Sequence, residues 1–174
     1  GNSNTTGDEL ICIGYRAGYA INHATNADGT VAIGYEALSA LTDPGGVTAL
    51  GYRAGKANTT GYQNTYLGYN AGLLSDVGLF NTAVGAEAYN DATGDMRSNT
   101  VVGANAGGFA NASSDGNTVL GAWALRNGTC AMDNNVVIGV EACDGLGTNN
   151  PTMSRNVFIG SFSGGGTWGS GNIR

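Results

Sequence analysis

Proline is nearly absent from this chain of 174 residues, with only two, and charged residues make up only 11% of it. Basic residues are scarcer still, seven Lys and Arg against 13 Asp and Glu, so the net charge is −6. That balance excludes the basic patch on which nucleic-acid binding depends. No apolar run approaches the ~18 residues of a membrane-spanning helix, so membrane insertion is not expected. Cysteine is limited to Cys12, Cys130 and Cys143. Three cysteines with no CxxC spacing provide neither a disulfide framework nor a zinc site, although a Cys130–Cys143 bridge stays open. The chain opens on Gly1-Asn2-Ser3 rather than methionine. It therefore reads as a fragment or a processed chain, and the lack of a leader carries no information on compartment.

What is abundant is glycine, 31 residues of 174. Such a content disfavours a helical domain, because each interior glycine costs a helix roughly 0.5–1 kcal/mol relative to alanine. Collagen is excluded by the lack of a three-residue period. With hydrophobic residues at 41%, the chain has enough apolar material for a core. The glycines fall into register. An aliphatic–glycine pair recurs at Ile13-Gly14, Ile33-Gly34, Leu50-Gly51, Leu67-Gly68, Val84-Gly85, Val102-Gly103, Leu120-Gly121, Ile138-Gly139 and Ile159-Gly160. The spacings are 20, 17, 17, 17, 18, 18, 18 and 21 residues. Alanine follows three residues later at Ala17, Ala37, Ala54, Ala71, Ala88, Ala106, Ala124 and Ala142, with Ser163 in the ninth repeat. Asparagine opens the later repeats, as in Asn64-Thr65, Asn81-Thr82, Asn99-Thr100, Asn117-Thr118, Asn135-Val136 and Asn156-Val157.

The consensus is Asn-Thr-x-(Val/Ile/Leu)-Gly-x-x-Ala followed by turn composition, for example Ser75-Asp76-Val77-Gly78 and Ser113-Ser114-Asp115-Gly116. A unit of 17–18 residues is too short for paired helices. Each repeat is expected to form a short strand, a bend at the glycine, a second short strand through the alanine, and a turn. The fold expected is all-β: a parallel β-roll or β-solenoid of about nine coils stacked at ~4.8 Å, roughly 40 Å long, forming a single repeat domain over residues 1–174.

Alternation along a strand places i and i+2 on one face. The aliphatic column before the glycine is expected to face inward. Its partners two residues earlier (Ile11, Val31, Thr48, Thr65, Thr82, Thr100, Thr118, Val136 and Val157) would share that inward face. The middle column (Cys12, Ala32, Ala49, Tyr66, Ala83, Val101, Val119, Val137 and Phe158) is apolar as well. A strand apolar on both faces is buried on both sides. Since a thin solenoid has one inside, the second face is expected to meet identical chains, with a trimer the expected assembly and the alanines allowing close approach.

The pattern, seen in Asn64-Thr-Tyr-Leu-Gly-Tyr-Asn-Ala-Gly72 and in Ala32-Ile33-Gly34, resembles the head repeats of YadA-like trimeric autotransporter adhesins and the similar repeats of bacteriophage tail fibres. The resemblance spans roughly residues 10–165 and implies a left-handed β-roll assembled as a homotrimer. The coils here are longer than those such heads typically use. It also implies an extracellular setting, on a virion or a bacterial surface, with a host-surface glycan or protein as partner. The asparagine–threonine opening favours the phage-fibre branch, and the glycine-rich end, Gly164 to Asn172, reads as a junction to a further domain.

Enzymatic chemistry is not expected, and no cofactor or metal is. His23 is solitary, and Gly103-Ala-Asn-Ala-Gly107-Gly108 lacks the strand–helix unit of a dinucleotide site. Glu36, Glu87 and Glu141 share a column but lie three coils apart, roughly 14 Å, beyond the ~5–9.5 Å of a glycosidase pair. Turn aspartates Asp91, Asp95, Asp115 and Asp133 lack calcium-loop spacing. Arg16–Glu36 and Glu36–Arg53 are expected to pair between adjacent coils, each contributing ~0–1 kcal/mol. The column after the glycine begins Tyr15, Tyr35, Tyr52, Tyr69 and continues Ala86, Ala104, Ala122, Val140, Ser161, so a stacked tyrosine ladder is expected in the first half. Trp123, Phe162 and Trp168 are the ligand-contact candidates. An ice-binding solenoid would need an outward threonine array, which the inward assignment of Thr48 to Thr118 argues against.

Overall fold

A computed structural model describes residues 9–21, 29–43, 45–108, 114–126, 131–144 and 152–164. Among these residues the protein is an all-β solenoid. Its strands are three residues long: β1 Ile11–Ile13, β2 Val31–Ile33, β3 Thr48–Leu50, β4 Thr65–Leu67, β5 Thr82–Val84, β6 Thr100–Val102, β7 Thr118–Leu120, β8 Ala131–Asp133, β9 Val136–Ile138, β10 Thr152–Ser154 and β11 Val157–Ile159. Nine of them stack in sequence order into one parallel sheet, β1-β2-β3-β4-β5-β6-β7-β9-β11, while β8 and β10 pair separately. The register is repeat-perfect, with Ala32 opposite Ala49, Ala49 opposite Tyr66, and so on along the stack.

The glycine after each strand is a backbone requirement. Gly34 and Gly51 sit at φ +135° and +146°, and a Cβ added to either would collide with the carbonyl of the next glycine in the column. Only glycine meets both conditions, unusual dihedral and close backbone approach. Beyond it the chain makes two further left-handed steps. The residue two after the glycine has φ between +52° and +59° in every repeat, as at Arg16, Glu36, Glu87, Trp123 and Phe162. The residue four after it is left-handed again, as at Leu38, Tyr89 and Leu125.

Those steps correct one expectation. The segment through the alanine is not a second strand, because positive φ on both sides of the alanine breaks the extended conformation. Backbone hydrogen bonds nevertheless cross between turns here, for example Gly55 N–H to Ala71 O at 2.9 Å and Gly72 N–H to Ala88 O at 2.9 Å. Among the described residues the regular strands outside the main sheet are β8 and β10, which lie ahead of the asparagine corner and not in the alanine segment.

A second correction concerns which face looks in. The middle residue of the strand points into the solenoid: Ala32, Ala49, Tyr66, Ala83, Val101, Val119, Val137 and Phe158 are all fully buried. The aliphatic column and its threonine partners point out. Ile13 is 59% exposed and Ile159 60%. The reason is volume. The lumen is narrow and shared with the alanine column, from Ala37 to Ala142 buried throughout, so small side chains suit it. Large ones enter only where a glycine makes room. Cβ atoms added at Gly55 or Gly72 would strike the Tyr66 ring, and one at Gly164 would strike Phe158. Where the middle residue is small, the left-handed position supplies the bulk instead, as Leu38 and Tyr89 do.

The asparagines form an internal ladder. Asn64 Oδ1 accepts the backbone N–H of Asn81 at 2.8 Å, and the same bond links Asn81 to Asn99, Asn99 to Asn117, Asn117 to Asn135 and Asn135 to Asn156, each at 3.0 Å. The Nδ2 groups of Asn64, Asn81, Asn99, Asn117 and Asn135 also donate to a backbone carbonyl of the following turn, as from Asn64 to Gly78 O at 2.6 Å and from Asn117 to Met132 O at 2.6 Å. The ladder satisfies buried polar groups that would otherwise each cost about 1–3 kcal/mol. It is missing at the start, where Leu10, Thr30 and Val47 hold the equivalent position.

Candidate functional site

Three surface features stand out. The first is the outward strand face. Ile13, Leu50, Leu67, Leu120 and Ile159 are each 41–60% exposed, aligned in one column by the parallel register. Beside them lies the row Thr48, Thr65, Thr82, Thr100 and Thr118, contributed by five consecutive strands.

The second is the tyrosine ladder. Tyr15, Tyr35, Tyr52 and Tyr69 stack with ring centroids 5.2, 5.1 and 5.3 Å apart and interplanar angles of 19°, 10° and 9°. The two inner rings have both faces covered and present only edges to solvent. Sugar rings stack on aromatic faces, so the ladder is better suited to holding turns together than to gripping a glycan. The Arg53 Cζ lies 5.0 Å from the centroid of the Tyr52 ring, and the Arg16 Cζ lies 4.6 Å from that of Tyr19.

The third is a cavity of about 330 Å³ lined by Ser39, Ala40, Arg53, Lys56, Ala57, Leu73 and Leu74. Glu36 anchors its cations. The Arg53 Nε–H donates to Glu36 Oε2 at 3.1 Å and Lys56 Nζ approaches the same oxygen at 2.8 Å. The hydrogen bond from Lys56 is the main influence holding the Glu36 carboxyl below the usual glutamate range, with partial desolvation opposing it and Arg53 adding to it. A carboxylate engaged by two cations is a poor general acid. Arg16, expected to share Glu36, turns instead to Tyr19, which hydrogen-bonds it and helps raise its pKa.

The other candidates fall as follows. Trp123 is 40% exposed, with the Arg126 guanidinium 5.8 Å from its ring, and Phe162 is 70% exposed. They belong to the same column but to different turns and form no shared pocket. Trp168, His23 and Cys130 lie outside the described residues. Cys143 is buried, and burial pushes its thiol up to about 12. The turn aspartates bind backbone: Asp115 Oδ1 accepts the N–H of Arg97 at 2.7 Å and Asp133 Oδ1 that of Asp115 at 3.1 Å. Asp95 forms a two-point ion pair with Arg97. Among the described residues no three His, Cys, Asp or Glu side chains gather to hold a metal ion.

Sequence reasoning missed the cavity. Its signal was present in the three-residue step from Arg53 to Lys56 and in Leu74 after the alanine column. It also missed the pairing of Tyr66 with flanking glycines. Tyr66 is enclosed, its hydroxyl donating to Ser75 Oγ at 2.9 Å, and burial raises its pKa to about 12. No protein-family model, curated protein or solved structure matches this chain.

Proposed function

We propose that this chain is a structural and adhesive segment of an extracellular homotrimeric fibre. In this reading nine coils of 17–18 residues wind left-handed into a rod, and three rods pack their outward aliphatic columns together. The observation that carries it is that exposed column, with Ile13, Leu50, Leu67, Leu120 and Ile159 in line. Scattered surface leucines need no explanation, but a continuous apolar stripe along a rod marks an interface. Burying the exposed half of each such side chain contributes about 1 kcal/mol, and the column as a whole adds several of these against the entropy of association. A bacteriophage tail fibre or similar virion appendage is the setting favoured, with the head of a bacterial trimeric adhesin as the alternative. The mechanism is mechanical in both: backbone and asparagine ladders stiffen the rod while its flanks contact a host surface. Binding of the fluorescently labelled chain to intact bacteria, competed by unlabelled chain, tests the adhesive half. Absence of saturable binding across a panel of candidate hosts would remove it.

A second reading gains support from the corrected face assignment. Thr48, Thr65, Thr82, Thr100 and Thr118 look outward in a regular row, which is the surface an ice-binding solenoid would need. Thermal hysteresis in a growing-crystal assay would favour it over the fibre, and its absence would close it.

A further inference from the structure

We propose that the cavity beside Glu36 is a binding site for a carboxylate-bearing sugar, a sugar-acid unit of a surface polysaccharide. The proposal rests on the adhesive reading above and gives it a ligand class. At about 330 Å³ the cavity lies at the lower end of the ~300–1,000 Å³ typical of small-ligand sites. Its charge is unusual for this protein. Only seven basic residues exist in the chain, and two of them, Arg53 and Lys56, line this one cavity around a single carboxylate. Two cations against Glu36 leave one positive charge on a molecule of net charge −6.

The Arg53 guanidinium is held ready. Its Nε is engaged by Glu36 and its Cζ lies 5.0 Å from the Tyr52 ring centroid, while its terminal Nη groups have no protein partner among the described residues. That free edge is the fork that binds a carboxylate at two points. Lys56 has N–H groups to spare after its single contact with Glu36. The surplus of one charge matches a monoanion. A phosphate dianion would face the Glu36 oxygens with its second charge uncompensated.

The rest of the lining fits a pyranose ring. Ala40, Leu73 and the 41% exposed Leu74 form an apolar floor for its C–H face, and Ser39 offers a hydroxyl. These residues come from the turn segments past the glycine bend, so the site is on a different wall from the aliphatic column of Leu50 and Leu67.

The test is titration of the intact chain, followed by NMR, with methyl glucuronide, its neutral isostere methyl glucoside, sodium acetate, methyl phosphate and a glutamate-rich peptide. Methyl glucuronide is expected to bind at least about ten-fold more tightly than the glucoside or acetate, with shifts centred on Leu73, Leu74 and Ser39. The double variant R53Q/K56Q is expected to lose at least about ten-fold in affinity while keeping a cooperative thermal transition, its midpoint lowered by loss of the Glu36 ion pairs. A second variant, Leu74→Glu, leaves both cations in place and is expected to abolish binding by putting a competing carboxylate on the floor. Equal binding of glucoside, tighter binding of the peptide or of methyl phosphate, or full retention by either variant overturns the proposal. Failure here is separable from failure of the fibre reading. An intact oligomer that ignores the glucuronide removes the site alone, and a monomer that binds it removes the oligomer alone.

Discussion

The first turns of the solenoid and the later ones solve the same stacking problem with different side chains. From β1 to β3 the inner corner position is Leu10, Thr30 and Val47, none of which can build an amide ladder. Thr30 Oγ1 there is buried without a hydrogen-bond partner. These turns are tied from outside, by the stacked rings of Tyr15, Tyr35, Tyr52 and Tyr69 and by the Arg53–Glu36–Lys56 ion pairs. From β4 onward the tie moves inside, to the asparagine ladder, and the outer column shrinks to Ala86, Ala104 and Ala122. The two devices overlap only in the turn that carries both Asn64 and Tyr69. One backbone path can therefore be stabilised by exposed aromatic stacking or by buried hydrogen bonds. The two differ in how they answer mutation: stacked rings lose a few contacts when one is removed, whereas a buried ladder is left with orphaned polar groups.

The glycine spine is common to both halves, so breaking it should have the largest effect. Gly103→Ala puts a Cβ against the Gly121 carbonyl at φ +143°. A loss of about 3–5 kcal/mol in denaturant unfolding is expected. Gly160→Ala is expected to cost only about 1–3 kcal/mol, because its Cβ would meet nothing within 4 Å and only the dihedral strain remains. Equal costs would mean that inter-turn contact is not what selects glycine.

Asn99→Ala strikes the inner tie. It removes the acceptor for two donors of Asn117 and the donor to Ser114 O, and a loss of about 2–4 kcal/mol is expected. The comparison sharpens with Val47→Asn. That side chain would extend the ladder by one turn, placing its carbonyl oxygen near the Asn64 N–H and its amide near Gly61 O, as Asn64 does for Asn81 and Gly78. We expect a change within about 1 kcal/mol, although Val47 is fully buried. Val119→Asn, equally buried but off the ladder, is expected to cost about 3 kcal/mol or more. Tyr52→Ala removes a ring from the middle of the outer stack and should cost about 1–2 kcal/mol by the same measurement.

The smallest effect is one of pH. The folded Glu36 carboxyl titrates below its unfolded value, so its contribution is complete above the ordinary glutamate range and is lost as pH falls through the lowered folded value. Thermal midpoints of the native chain and Glu36→Gln should therefore differ at about pH 6, and the gap should narrow as pH falls below the ordinary glutamate range.

Glycine columns were legible in the sequence because a carbonyl packed against a Cα admits no other residue from Gly14 to Gly139, and the positive φ favours glycine at Gly160 as well. The tyrosine stack was legible for a similar reason, since identical side chains in register at one strand spacing meet face to face. The inward face was not legible. Both faces are apolar, so alternation separated them without ranking them, and hydrophobicity favoured the wrong one. The most aliphatic column is outside, while the lumen takes alanine and valine and admits Tyr66 or Phe158 only opposite Gly55, Gly72 and Gly164. The asparagines at 64, 81 and 99 were visible as a column, but nothing local announced that their amides would turn inward. The cavity escaped notice because Glu36, Arg53 and Leu74 belong to three different repeats and meet only once the turns are stacked.

The central claim is that the outward aliphatic column is an interface between copies of this chain. Light scattering on the eluting gel-filtration peak tests it most directly. A mass about three times the 17.5 kDa of the chain, reduced to that of one chain by Leu67→Asp with Leu120→Asp, is the expected result. A native mass of 17.5 kDa, with the aliphatic column open to water in solution, would contradict it.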